Sequence, residues 1–241
     1  MGTYIDLHCH FLPGIDDGVR DMTESLALVQ ALSELGFSQL VATPHIRPGM
    51  FDNDAVQLQA SYEEWKRAAG DAPCPHTTLA SEHFFDDDVY ARLLAGQGLP
   101  YAALSPSQAR RSVLVEFKDF FPPGLERGVR ELRRRGLTMV VAHPERYRCV
   151  WQDDRCLDPL LEAGAFLLLD SCAVTGKYGS EPARAAAALL EAGAYEAACT
   201  DSHRPADAAE VARAFIELDR MVGATERERL FSAGPTRILQ G

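Results

Sequence analysis

Ile5-Asp6-Leu7-His8-Cys9-His10 runs directly into Phe11-Leu12-Pro13-Gly14-Ile15-Asp16-Asp17-Gly18. A short apolar-rich run that stops in a segment of proline, glycine and aspartate reads as a strand with a polar loop at its end. Side chains alternate across a strand, so His8 and His10 share one face and Cys9 points to the other. Two imidazoles side by side at a strand end suit one divalent metal, and Asp17 in the loop can reach the same place.

The pattern strand, loop, helix repeats from there to the C-terminus. Strands are expected near residues 4–9, 39–43, 77–81, 112–115, 137–142, 165–169 and 195–199. Helices are expected near 22–35, 54–69, 86–95, 125–135, 154–163, 181–192, 206–221 and 225–231. Asp21 followed by Glu24 is a capping-box start for the first helix, whose apolar stripe is either Leu26, Val29 and Leu32 or Ala27, Leu28 and Leu35. Seven βα units predict an α/β fold with a parallel sheet, and a closed barrel or an open doubly wound sheet both fit. No G-x-G-x-x-G follows a strand, which removes the dinucleotide-binding fingerprint. No linker or shift in composition divides the chain, so a single domain over residues 1–241 is expected.

The chain has 241 residues, of which 46% are hydrophobic and 24% charged, enough apolar material for one core. A net charge of −11 opposes binding to a phosphate backbone, so no nucleic acid is expected as a partner. No apolar run approaches the length of a membrane span, and Met1–His10 lacks the basic and apolar regions of an export signal. The expected location is therefore cytoplasmic, with no membrane insertion. Cys9, Cys74, Cys149, Cys156, Cys172 and Cys199 lack C-x-x-C spacing and read as reduced thiols.

The chemistry gathers at the strand ends. His8 and His10, His45, Glu82, Glu116, His143 and Asp201 each close a different predicted strand, with His203 just beyond the last. In a barrel those ends converge on one face. Packed carboxylates at neutral pH need cations, and a His/Asp/Glu set without thiolate suits Mn²⁺, Fe²⁺, Co²⁺ or Zn²⁺. With Asp17 the candidates exceed what one ion needs, so two or three ions are expected. Clustered ions can hold a bridging hydroxide and clamp the attacking and leaving oxygens at phosphorus.

Residues 5–18 (IDLHCHFLPGIDDG), with Thr43-Pro44-His45-Ile46, His143-Pro144-Glu145-Arg146, Val174–Gly179 (VTGKYG) and Thr200-Asp201-Ser202-His203, resemble the metal-dependent protein tyrosine phosphatases of bacterial capsule and exopolysaccharide systems. These belong to the polymerase-and-histidinol-phosphatase (PHP) superfamily. The resemblance implies a distorted seven-stranded (β/α)7 barrel with a three-metal site. By matching position, His8, His10, Glu82 and Asp201 would hold one metal. Glu82 would bridge to a second held also by Glu116 and His143, and Asp17, His45 and His203 would hold the third. Manganese is the implied ion, and the implied substrate is the phosphotyrosine tail of a bacterial tyrosine autokinase. Arg146 would bind the phosphoryl oxygens while a metal-bridging hydroxide attacks phosphorus, with Glu116 and Asp201 completing the catalytic set. The family has a second arginine several residues past its final Asp-x-His, whereas Arg204 here directly follows His203. Arg204 and Lys177 are the remaining candidates for substrate contact.

Other residues have plainer readings. His76 is expected to be solvated, and His83 to point away from Glu82. Glu145 fits a helix cap or a local pair, or a place in the site. Phe84, Phe85, Phe117, Phe120 and Phe121 fit either a wall for a tyrosyl ring or loop packing. Cys149 to Arg155 has the C-x₅-R spacing of cysteine phosphatases, but its two acids and lack of glycine oppose a phosphate cradle. Rival functions are another PHP phosphoesterase acting on histidinol phosphate or small phosphomonoesters, a nuclease, an amidohydrolase, or a metal-stabilised binding module without turnover.

Overall fold

The computed structural model describes residues 4–70, 74–105 and 107–241. Its strands are β1 (Tyr4–Cys9), β2 (Phe37–Ala42), β3 (His45–Ile46), β4 (His76–Leu79), β5 (Glu82–Phe84), β6 (Arg111–Glu116), β7 (Leu137–Ala142), β8 (Phe166–Asp170) and β9 (Ala197–Cys199). The α-helices are α1 (Met22–Glu34), α2 (Ala55–Ala69), α3 (Asp87–Leu94), α4 (Leu125–Arg134), α5 (Arg148–Gln152), α6 (Asp158–Glu162), α7 (Ser180–Glu191), α8 (Asp207–Val222), α9 (Ala224–Phe231) and α10 (Ala233–Gln240).

Local chemistry starts these helices where expected. The Asp21 side chain accepts from Glu24 N–H at 2.9 Å, and Asp54 makes a full capping box with Gln57. On α1 the buried face is Ser25, Leu28, Val29 and Leu32. This face combines parts of both expected stripes, because Leu26 of the first and Ala27 of the second face solvent. Helix α10 was not expected; Ile238 and Leu239 bury it against the sheet interior, where Ser112 Oγ–H donates to Ile238 O.

All strand pairs are parallel, but the strands fall into two sheets, β1-β2-β4 and β3-β5-β6-β7-β8-β9. Two of the seven expected strands are each broken into two pieces. Pro44 has no N–H for the ladder, and its carbonyl instead accepts from Glu82 N–H at 3.1 Å. His45 therefore opens β3 and Glu82 opens β5, rather than each following the end of a strand. The chain returns on itself past β9: His10 N–H donates to Ser202 O at 2.9 Å and Asp201 N–H donates to His8 O at 3.0 Å.

Alternation along the strands divides the core in two. Leu7, Val41, Leu114, Val140, Leu168 and Ala197 pack together inside with Tyr101, whose hydroxyl donates to Leu7 O at 3.0 Å. Val113, Val115, Met139, Val141, Leu167 and Leu169 face the helices. Cys9 joins that outer layer while His8 and His10 turn to the other side, as alternation requires. Among the described residues no helix is long and apolar enough to cross a membrane.

Candidate metal centre

His8 Nε2 and His10 Nε2 lie 3.1 Å apart. Glu82 Oε2 is 3.2 Å from His8 Nε2 and 3.6 Å from His10 Nε2. Asp201 Oδ1 is 3.2 Å and 3.4 Å from the same two atoms. Four ligand atoms at about 2.1 Å from one ion stand about 3.0–3.4 Å from one another. Each carboxylate oxygen thus forms, with the two imidazole nitrogens, a triangle with the edge lengths of a coordination shell.

Two further groups adjoin it. Asp17 Oδ1 is 3.4 Å from both His45 Nε2 and His203 Nε2, and His10 closes that cluster. Glu82 Oε1 is 2.9 Å from His143 Nε2, while Glu82, His45 and Glu116 also present ligand atoms to one another. All nine sequence-expected ligands therefore meet at one mouth. His45 lies between two groups, with Nδ1 3.0 Å from Glu82 Oε2 and Nε2 toward Asp17.

The donor set fits divalent ions on direct evidence. Asp201 Oδ1, Glu116 Oε2 and His45 Nδ1, the last 3.0 Å from Glu82 Oε2, are buried without a hydrogen-bond partner among the described residues. Such atoms are costly to leave unsatisfied. Burial and the Glu82 charge push the Glu116 carboxyl up to about 7. Burial also opposes the Glu82 and Asp201 charges, yet the His8 imidazole, joined by His45 at Glu82 and His203 at Asp201, holds both carboxyls well below the usual range. Soft thiolates are absent from the mouth, which points to imidazole- and carboxylate-binding metals.

Backbone and neighbouring residues aim these groups. His143 (φ 32°) and Asp201 (φ 44°) are the only non-glycine residues in the left-handed region among those described. Strain of this kind clusters at functional sites. His10 Nδ1–H donates to Asp16 Oδ2 at 2.8 Å, which turns its Nε2 lone pair to the quartet. His203 Nδ1–H donates to Asp201 O at 2.9 Å, which turns its Nε2 toward Asp17. Gly18 passes so close to His10 that an added Cβ would stand 2.3 Å from His10 O. Arg146 Nη1 is 2.6 Å from Asp201 Oδ2 and 3.6 Å from Asp170 Oδ2, and its guanidinium lies 4.7 Å from the Tyr178 ring centre.

Residues 4–240 match the family "Capsular polysaccharide synthesis, CpsB/CapC".
The chain belongs to the CpsB/CapC family.
It is 26% identical over 210 residues to the tyrosine-protein phosphatase YwqE of Bacillus subtilis, covering 83% of this chain and 77% of that one. It is 23% identical over 245 residues to the tyrosine-protein phosphatase CpsB of Streptococcus pneumoniae, covering 98% of each. Crystal structures of YwqE and CpsB, described as unique metal-dependent tyrosine phosphatases, superpose with a TM-score of 0.81 at 26% identity over 95% of this chain and 94% of that chain. The phosphotriesterase homology protein of Escherichia coli shares the fold alone, with a TM-score of 0.59 at 14% identity over 99% of each chain.

Within this CpsB/CapC-family site, the two candidate substrate cations are already engaged. Arg204 Nη1–H donates to Gly18 O at 3.1 Å and Nη2–H to Asp17 O at 3.5 Å. Lys177 Nζ–H donates to Asp207 Oδ1 at 3.1 Å, and Asp207 Oδ2 accepts from His203 N–H. Both residues brace the loop beside the Asp17–His203 group.

Several side chains escaped the sequence reading. Asp16 and Asp170 were passed over in favour of Asp17 and Asp201, although each stands at a strand end or its loop. Glu145 neither caps a helix nor pairs locally. It is fully buried, with Oε1 accepting from Asp170 N–H at 2.9 Å and Oε2 from Tyr195 O–H at 2.9 Å. His83 does point away: Nδ1–H donates to Leu114 O and Nε2 accepts from Leu99 N–H. His76 is exposed, but opens β4. Phe85, Phe117 and Phe121 pack on one another and on Tyr147, while Phe120 is exposed. Arg155 pairs with Asp153 at 2.8 Å, so no anion cradle forms after Cys149.

A cavity of about 400 Å³ lined by Ile46, His83, Val89 and Leu93 lies behind β3 and β5, on the side away from the histidine cluster. Asn53, Asp54, Arg92 and Gln97 also line it, and His83 is held by Leu114 O.

Proposed function

We propose that this protein is a metal-dependent phosphotyrosine-protein phosphatase acting on the tail of a bacterial tyrosine autokinase in capsular or exopolysaccharide synthesis, in the cytoplasm. The observation that carries the reading is that His8 Nε2 and His10 Nε2 lie 3.1 Å apart with Glu82 Oε2 and Asp201 Oδ1 each 3.2–3.6 Å from both. Membership of the CpsB/CapC family and the names of its relatives support it.

In this reading the chain is one domain over residues 1–241, and its two sheets together make a distorted seven-stranded barrel. Two or three Mn²⁺ ions occupy the mouth. His8, His10, Glu82 and Asp201 hold one. Glu82, Glu116 and His143 hold a second, and Asp17, His45 and His203 hold a third. Bound ions supply Lewis-acid stabilisation and an activated water.

The chain's own residues do the rest. Arg146 is held at Asp201 through Nη1 alone, which leaves its Nε and Nη2 donors for phosphoryl oxygens. Those donors oppose the charge that develops in the transition state. A phenol of pKa ~10 leaves readily, so no strong general acid is required. Asp16, Gly18 and Glu145 keep the ligands and Asp170 in place.

The test is phosphate release from a phosphotyrosyl peptide by protein stripped of metal and reloaded with Mn²⁺, Co²⁺ or Zn²⁺. Metal-dependent turnover, lost in His8→Ala and Arg146→Ala and kept in Cys149→Ser, is the expected result. A fully metal-loaded protein that leaves the peptide intact, or a Cys149→Ser variant without activity, overturns the reading.

A further inference from the structure

Arg47 is a cation at this mouth without an ion pair, and the carboxylate its charge acts on is Glu116. Among the described residues its guanidinium makes no hydrogen bond, and no carboxylate oxygen lies within 4.0 Å of it. The guanidinium lies over the Phe84 ring, whose centre is 4.1 Å from Cζ. Stacking on a ring face holds a guanidinium in place while its in-plane N–H donors stay open to an anion. The backbone beneath is fixed as well. Arg47 N–H donates to Phe51 O at 3.1 Å, Phe51 N–H returns to Arg47 O at 2.8 Å, and Phe51 stacks on His45.

Strand register places this cation relative to the ligands. His45 pairs with Glu82 across β3 and β5, and Phe84 pairs with Glu116 across β5 and β6. Arg47 follows β3 and, by alternation, shares the face of His45, beside Phe84. His45 and Glu82 thus form one row, and Arg47, Phe84 and Glu116 form the next row outward. Two residues of strand advance the chain about 6–7 Å. Glu116 reaches back from that row to the ligand atoms of His45 and Glu82, whereas the Arg47 guanidinium lies over the Phe84 ring; an anion held there, about a tyrosyl ring's length out from the His45 row, would be a second one beyond the phosphoryl group. Arg204, the nearest arginine after the final Asp-x-His, is occupied by the carbonyls of Asp17 and Gly18. The half-buried Arg47 guanidinium, which makes no ion pair within 4.0 Å, is thus open to an anion at the site's rim.

We propose that Arg47 selects substrates that carry a second anionic group next to the phosphotyrosine. The inference deepens the phosphatase reading and rests on it for the identity of the first group. A neighbouring carboxylate and a neighbouring phosphotyrosine share the needed chemistry.

The experiment compares peptides with alanine, aspartate, lysine or a second phosphotyrosine beside the reacting residue, on the metal-loaded full chain. Binding is read with labelled phosphonate analogues and turnover with the phosphorylated forms. Wild type is expected to prefer the aspartate or the doubly phosphorylated peptide about tenfold over the alanine peptide, and the flank that gains identifies the anion. Arg47→Ala should cut that preference to below about twofold. Arg47→Glu should reverse it toward the lysine peptide, a change that mere misfolding cannot produce. Equal losses on every peptide in Arg47→Ala, or no flank preference in wild type, overturn the proposal. Flank-selective binding without turnover leaves Arg47's role standing and overturns the phosphatase reading instead.

Discussion

One carboxylate serves two partners: Asp201 Oδ2 lies 2.6 Å from Arg146 Nη1, while its Oδ1 lies 3.2 Å from His8 Nε2. The left-handed backbone of Asp201 makes this double contact possible, and a hydrogen bond from its N–H to His8 O fixes it. The arginine and the histidine quartet are therefore positioned by the same side chain.

Asp201→Asn tests that coupling. It removes one candidate ligand oxygen or turns an N–H toward Arg146, depending on the flip of the amide. Bound metal should fall, and phosphotyrosyl turnover should drop by about two to three orders of magnitude, the size of losing one preorganised charge contact. Elemental analysis and steady-state rates on the same sample check it; full metal content with unchanged rate would contradict it.

Asp16 touches no other member of the quartet, yet it orients His10 through the 2.8 Å hydrogen bond to Nδ1. Loss of such an orienting contact costs about 10–100-fold in metal affinity. Asp16→Ala should show that loss in a competition titration against a chelator, with far-UV circular dichroism unchanged.

Gly18 sits where a Cβ would meet His10 O at 2.3 Å and His10 Cβ at 2.7 Å. Both obstacles belong to the strand that carries the ligands, so the loop must move. Gly18→Ala should cost about 1–3 kcal/mol of stability, the range for overpacking, and should weaken metal binding as well. Thermal denaturation of the metal-free protein, beside a chelator titration, separates the two effects.

Glu145 supplies a pH test away from the histidines. Burial, then the Asp170 charge, pushes its carboxyl from an ordinary 4.5 up to about 8. The folded state thus favours the protonated acid more than the unfolded chain does. Its contribution is full below about pH 4.5, declines as pH rises, and is gone above about pH 8, with an upper bound on the order of 5 kcal/mol. Glu145→Gln keeps an acceptor for Asp170 N–H and cannot ionise. Its stability relative to wild type should therefore rise between pH 5 and 8, as read by urea denaturation at fixed pH values. Glu145→Ala strands Asp170 N–H and Tyr195 O–H and should be destabilised by about 2–4 kcal/mol near pH 5, a deficit that shrinks toward pH 8 because this variant cannot ionise either.

The order of elements was readable because it depends on local chemistry. Alternation, capping residues and turn residues act over a few positions, so β1, β7 and the start of α1 fall at the predicted residues. The candidate ligands were readable for a related reason: His, Asp and Glu at successive strand ends are unusual wherever the chain folds. Local pattern failed where partners are distant. Helix α10 is amphipathic only in relation to β6 and β9, and Ala-Gly-Pro at its start hides it. The break at Pro44 was legible as a proline, but the new pairing of His45 with Glu82 was not.

By itself the sequence determined a parallel α/β chain of about seven units and which side chains would carry the chemistry. Only the tertiary structure decided how they are shared. Glu82 touches four histidines, Asp201 faces Arg146 as well as His8, and Asp16 rather than Asp17 steers His10. Arg47, not Arg204, keeps an open guanidinium. The reason is physical: a residue's type and spacing fix what it can bind, but its partners come from segments far along the chain, 194 positions away between Asp6 and Thr200, and packing alone brings them within 3–4 Å.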